Sequence, residues 1–140
     1  MILRDVAGLL DATVLPEDAD LDIEVTTACG ADLMSDVLIF VHSGSLLLTG
    51  LTNPQVVRTA EVVDAAAIAI VRGRVPPKET VALAAEKGIP LILSPHTLFE
   101  CCGRVYAAGV ESCDVRGEER RRVNTRLQKF ISAGSLAATS

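Results

Sequence analysis

Three short runs of the chain, 46–48, 67–71 and 90–93, are built from aliphatic residues with no polar alternation. A strand of that kind is buried on both faces, because a strand with one wet face alternates. The runs recur about every 22 residues, and amphipathic helices are expected between and after them, over 54–64, about 77–87 and about 98–108. Strands joined by helices of this length pair in parallel through right-handed crossovers. The expected fold is therefore α/β: a parallel sheet with helices on both faces, built from consecutive βα units.

The flanking sequence fits around that repeat. Ile2, Val6, Leu9 and Leu10 share one helical face. Short strands are expected at 13–15 and 24–29. Asp32 is placed to cap a helix carrying Leu33, Met34, Val37, Leu38 and Val41, with Gly44 as its left-handed terminus. Inner faces are expected from Val56, Val57, Ala60 and Val63, then from Val81, Leu83, Ala84 and Ala85, then from a helix bearing Leu98, Cys101, Cys102, Val105 and Tyr106. A last, exposed helix is expected at 117–131, with Val123, Leu127, Phe130 and Ile131 as its apolar stripe, followed by a disordered tail. At 140 residues, the chain divides into a single α/β domain over 1–115 and a basic amphipathic helix with a flexible tail over 116–140.

Composition narrows the partners. The chain is 49% hydrophobic but only 3% aromatic, with no Trp, so it lacks the stacking faces of a nucleic-acid platform. Residues 1–40 hold nine acids and one base, Arg4, which also argues against nucleic acid; residues 115–140 hold six bases, including Arg120, Arg121 and Arg122. Arg4 and Asp5 interrupt the N-terminus, and no apolar run reaches the ~18 residues of a membrane span. A cytoplasmic location without a membrane partner is expected. Cys29, Cys101, Cys102 and Cys113 form no CxxC pair and have no His at ligand spacing. They are expected to be reduced and to pack as small hydrophobes, with no metal site.

Ligands of parallel sheets bind beyond the carboxyl ends of the strands, and three polar loops follow the three apolar runs. Thr49, Gly50, Thr52 and Asn53 lead into Pro54, a sharp helix start whose N–H groups favour an anion. Arg72 and Gly73 follow the second strand; the guanidinium suits phosphate or carboxylate. Ser94, His96 and Thr97 follow the third. These nine residues are the candidate ligand site. The same residues are also ordinary turn chemistry: Asn-Pro opens helices, and Thr97 with Glu100 makes a capping box. The turn is neither a P-loop nor GxGxxG. No nucleophile–base constellation stands out, so no catalytic residue and no cofactor is expected.

The stretches LLLTGLTNPQVVRTAEVVD, AIVRG and ALAAEKGIPLILSPHTLFECCGRVYAAGV, with ACGADLMSDVL at 28–38, resemble the DRTGG domain family over roughly residues 24–110. The resemblance is to the small stand-alone members found near iron-only hydrogenase genes. It implies an α/β fold similar to the N-terminal domains of HPr kinase/phosphorylase and of Mur ligases, and a regulatory or dimerising role. It carries over no catalytic residue. The motif naming the family, Asp-Arg-Thr in one turn and Gly-Gly in the next, stands here as Gly50-Leu51-Thr52 and Val71-Arg72-Gly73, matching at Thr52 and Gly73.

The expectation is a non-catalytic regulatory module, homodimeric, that binds a small anion or nucleotide, or a protein partner in hydrogenase metabolism. The alternative is a purely structural or interaction protein working through its C-terminal helix; an enzyme is the least favoured reading.

Overall fold

The computed structural model describes residues 1–113 and 117–134. Among these residues six strands form one sheet: β1 (Thr13–Leu15), β2 (Thr27–Gly30), β3 (Ser45–Thr49), β4 (Ala67–Ile70), β5 (Leu91–Leu93) and β6 (Glu111–Ser112). Six helices accompany them: α1 (Leu3–Leu9), α2 (Met34–Phe40), α3 (Pro54–Val62), α4 (Lys78–Lys87), α5 (Leu98–Ala107) and α6 (Gly117–Ser132). The strand order is β1-β5-β4-β3-β2-β6. Neighbours pair in parallel except at one margin, where β1 runs antiparallel to β5 with Val14 opposite Ile92. The expected all-parallel sheet is therefore corrected to a mixed one. β1 and β5 are not consecutive strands, so no right-handed crossover between them fixes the direction of β1.

The sheet is covered on both faces, and the pleat sorts its residues between them. Leu46, Leu48, Ala67, Ala69, Val71 and Ile92 point to a core closed by Leu3, Val6 and Leu10 of the α1 segment and by Cys101 and Val105 of α5. Leu47, Ile68, Ile70 and Leu91 point the other way, onto Val37, Val56, Val57, Ala60 and Ala84 of α2, α3 and α4. Period-two alternation within wholly apolar strands thus fills two cores from one sheet.

Several local expectations are corrected. Asp32 does not cap α2: the cap position is Leu33, without a side-chain bond, and the Asp32 carboxylate turns to β3. Gly44 is left-handed (φ +82°), but it serves the turn into β3 rather than the end of α2, which stops in extended backbone at Val41. Leu33 and Leu38 are exposed, and so is Ala85, which leaves α4 to bury Thr80 and Ala84 instead. Residues 24–26 do not join the sheet: the Val25 N–H donates to the Met1 carbonyl and Glu24 bridges Ile2, so the ladder starts at Thr27. The expectation for the extreme tail lies outside the described residues, as do residues 114–116.

Leu47 is fully buried at the centre of the sheet. Leu47→Ala should cost about 2–5 kcal/mol, the usual loss for an aliphatic core truncation. Urea denaturation of the two proteins measures it, and a loss below about 1 kcal/mol would contradict the two-sided burial of β3.

Candidate functional site

The loops after β3, β4 and β5 do meet at one edge of the sheet, but their polar groups are largely engaged with the protein itself. Thr49 is buried; its hydroxyl donates to Asp32 Oδ1 at 3.0 Å, and the Gly50 N–H donates to the same oxygen at 2.8 Å. The Leu51 N–H then donates to Thr49 Oγ1 at 3.2 Å. The turn expected to offer free N–H groups to an anion therefore already holds one, the carboxylate of Asp32. Asn53 occupies the cap of α3 with extended backbone but makes no side-chain cap bond, against expectation. The Thr52 carbonyl accepts from the buried Thr80 hydroxyl at 2.7 Å, which fastens this loop to α4.

The next loop is strained. Arg72 adopts a left-handed conformation (φ +65°), followed by Gly73 (φ +67°), and the turn is closed by Arg74 N–H donating to the Val71 carbonyl. A left-handed arginine costs roughly 1 kcal/mol or more and persists only where its surroundings hold it. Here the Arg72 N–H donates to the His96 carbonyl at 2.7 Å and the Gly73 N–H to the Ser94 carbonyl at 2.9 Å. The twist carries the guanidinium back over β3: a Cβ on Gly50 would lie 3.2 Å from Arg72 Nη2 and 3.5 Å from Nε. A side chain at Gly50 would crowd that approach, so the guanidinium would have to give by a few tenths of an ångström. Thr49, Gly50, Arg72 and Asp32 thus form one cluster.

Ser94, His96 and Thr97 do not point into it. The buried Ser94 hydroxyl donates to the Leu10 carbonyl at 2.7 Å and accepts from the His96 N–H. His96 Nε2 lies 2.8 Å from Asp11 Oδ2, and Arg104 Nη1 reaches the same oxygen at 3.4 Å while donating to the Leu9 carbonyl at 3.1 Å. The hydrogen bond from His96 holds the Asp11 carboxyl below its ordinary range, with desolvation opposing it and the His96 and Arg104 charges adding to it. Thr97 accepts from the Glu100 N–H at 3.3 Å, but Glu100 turns to Arg104 rather than completing the capping box.

A second place was not visible in the sequence. β2 to β5 are laid down in spatial order through α2, α3 and α4 on one face; the chain then crosses back through α5 on the other face and sets β6 beside β2. The strand order reverses between β2 and β6, and a sheet of this kind opens a crevice at the carboxyl ends of that strand pair. A cavity of about 700 Å³ lies there, among Cys29, Gly30 and Ala31 of the β2 end, Ser112 and Cys113 of the β6 end, Phe40, Phe99, Cys102, Tyr106 and Val123. Its volume is that of a small-molecule site. Phe99 and Tyr106 stand 88% and 73% exposed at its mouth, and Asp36 and Glu111 are among its polar groups. It adjoins the first cluster along the chain, because Ala31 precedes Asp32 and Leu48, also in its wall, precedes Thr49. Three of the four thiols line it. Cys29 is pulled below its ordinary value by the Cys113 thiol donating to its sulfur, with burial and the Asp36 charge opposing. Burial pushes Cys102 up, and Cys101 beneath it likewise. Among the described residues no group of three His, Cys, Asp or Glu side chains is placed to hold a metal, and no helix is long and apolar enough to cross a membrane.

This architecture is similar to that of the CBS and DRTGG domains of the regulatory region of Clostridium perfringens pyrophosphatase, solved in complex with its activator, diadenosine tetraphosphate. The TM-score is 0.59 at 14% identity, over 89% of this chain and 59% of that one. The chain therefore spans well under two thirds of that structure, and the likeness is one of fold. It agrees in outline with a DRTGG-like α/β domain, and the neighbour is a regulatory region rather than a catalytic one. No family model and no curated protein matches the chain.

Two outcomes are expected from this geometry. Asp32→Ala strips the acceptor from Gly50 and Thr49 and should lower stability by about 1 kcal/mol or more, whereas Asp32→Asn, which keeps an acceptor oxygen, should lose less; chemical denaturation of both variants measures the difference. The depressed Asp11 carboxyl stabilises the fold fully above the ordinary value of 3.8 and loses that contribution as pH falls through its lower folded value. Asp11→Asn should therefore flatten the acid limb of the stability curve below that point, and identical acid limbs for the two proteins would refute the linkage.

Proposed function

We propose that the chain is a non-catalytic regulatory module that binds a small ligand, a nucleotide or related anion, at the carboxyl edge of its sheet. The observation that carries this reading is the crevice of about 700 Å³ at the β2–β6 reversal, with the Arg72 guanidinium held over Gly50 on the adjoining strand end. The apolar crevice suits a planar base. Arg72, over Gly50 at the rim of the loops that carry Thr49, Thr52, Asn53 and Gly73, suits the anionic part, the Thr49 hydroxyl and the Gly50 N–H being taken by Asp32, and Ser94, His96 and Thr97 brace the edge from β5 and α5. That a regulatory region of similar fold was solved with a dinucleotide activator supports the choice of ligand class. The imidazole of His96 and the hydroxyl of Thr49 face Asp11 and Asp32 rather than each other, which favours binding over catalysis.

A second reading rests on α6. Leu127 and Phe130 are 53% and 51% exposed on a helix that carries Arg121, Arg122, Arg126 and Lys129, a surface suited to a second copy of the chain or to an acidic protein partner.

A thermal-shift series with AMP, ADP, ATP, acetyl phosphate and inorganic phosphate at millimolar levels tests the first reading. Ligand at 100 times its Kd adds about 2.7 kcal/mol, a shift on the order of 10 °C for a chain of this size. A nucleotide should shift the midpoint and phosphate should not match it. Arg72→Ala should weaken binding about tenfold, the worth of one charged hydrogen bond. Gly103 of α5 lines the crevice, and Gly103→Leu should block it without unfolding α5, because a Cβ there meets nothing within 4 Å. A flat series would sink the nucleotide reading and favour the one built on α6.

A further inference from the structure

Cys29 lies in β2, and Cys113 follows directly on β6. The two strands run parallel with Thr27 opposite Glu111 and Ala28 opposite Ser112. The Cys113 N–H donates to the Ala28 carbonyl at 2.9 Å, so the pairing continues one residue further and sets Cys113 opposite Cys29. Both side chains lie on the face covered by α2, α3 and α4. Paired strands stand about 4.8 Å apart, within the roughly 4.4–6.8 Å between Cα atoms that a disulfide spans. Neither sulfur is in a disulfide, and both residues line the crevice, Cys29 half-buried and Cys113 buried. The hydrogen bond between them favours the Cys29 thiolate, the nucleophilic form. Cys101 and Cys102 are poorer rivals: adjacent helical residues diverge by about 100°, burial disfavours the thiolate of both, and the Cys101 thiol donates to Ser94 Oγ.

We propose that Cys29 and Cys113 are an oxidative modification site, a thiol pair that peroxide converts into a disulfide tying β6 to β2. In the first step the Cys29 sulfur attacks one oxygen of hydrogen peroxide. The S–O bond forms, the O–O bond breaks, and the leaving hydroxide takes the thiol proton and departs as water. The sulfenic acid at Cys29 is then attacked by the Cys113 sulfur. The S–S bond forms, the S–O bond breaks, and the hydroxyl leaves with the Cys113 proton as a second water. Two thiols lose two electrons and two protons, and one peroxide is reduced to two waters. Among the described residues the ladder between β2 and β6 is short, two register pairs and the Cys113 N–H to Ala28 bond, so this one covalent bond fastens the edge strand that forms a wall of the crevice.

The full chain, reduced and then freed of reductant, is titrated with hydrogen peroxide, denatured, alkylated and digested without reduction. The four alkylatable thiols, none of them in a disulfide, should fall to two at roughly one peroxide per chain, with a single linked peptide pair containing Cys29 and Cys113. Cys113→Ser should instead leave a sulfenic acid on Cys29 that dimedone traps, and Cys102→Ser should leave the linkage unchanged. Four alkylated thiols after the same exposure, or a linkage through Cys101 or Cys102, would overturn the proposal.

Discussion

The backbone N–H and C=O groups of β3 and β4 lie where water does not reach them, so each must find its partner in a neighbouring strand. That requirement orders much else in the molecule. It draws β2 and β5 in on either side in register, and it demands a helical cover on each face because every side chain between Ser45 and Thr49 and between Ala67 and Ile70 is buried. With α2, α3 and α4 used on one face, α1 and α5 close the other. Crossing on that second face, α5 brings the chain back past β2. The crevice is thus a by-product of how the sheet satisfies its own hydrogen bonds.

The central βα repeat was legible because the two demands on it agree. Runs such as Ala67–Ile70 are short, apolar and bounded by turn residues, and the helices between them carry apolar residues at helical spacing. Pro54 at the first turn of α3 and left-handed Gly88 after α4 mark ends that local chemistry alone decides. The antiparallel β1 was legible as a strand but not in its direction, which depends on where α1 docks.

The site was only half legible. Loops at strand ends can be found by counting, so Gly50 and Arg72 could be singled out, and they do meet. Which group fills the turn could not be found that way. Asp32 is 17 residues from Thr49, and as a residue preceding a helix it reads first as a cap. His96 and Asp11 are 85 residues apart, a pairing that no local pattern announces. The crevice and the Cys29–Cys113 register depend on a strand of two exposed residues, Glu111 and Ser112, too short to carry any periodic signal. A sequence signal existed only in the mirror-image sense that α5 needed somewhere to deliver the chain.

The two margins of the sheet are unusually brief, three residues in β1 and two in β6. An incoming strand needs a run of unpaired donors and acceptors to align on, and such stubs present very few. The molecule can therefore keep an open apolar cleft beside its sheet margin without that margin becoming a seed for end-to-end polymerisation.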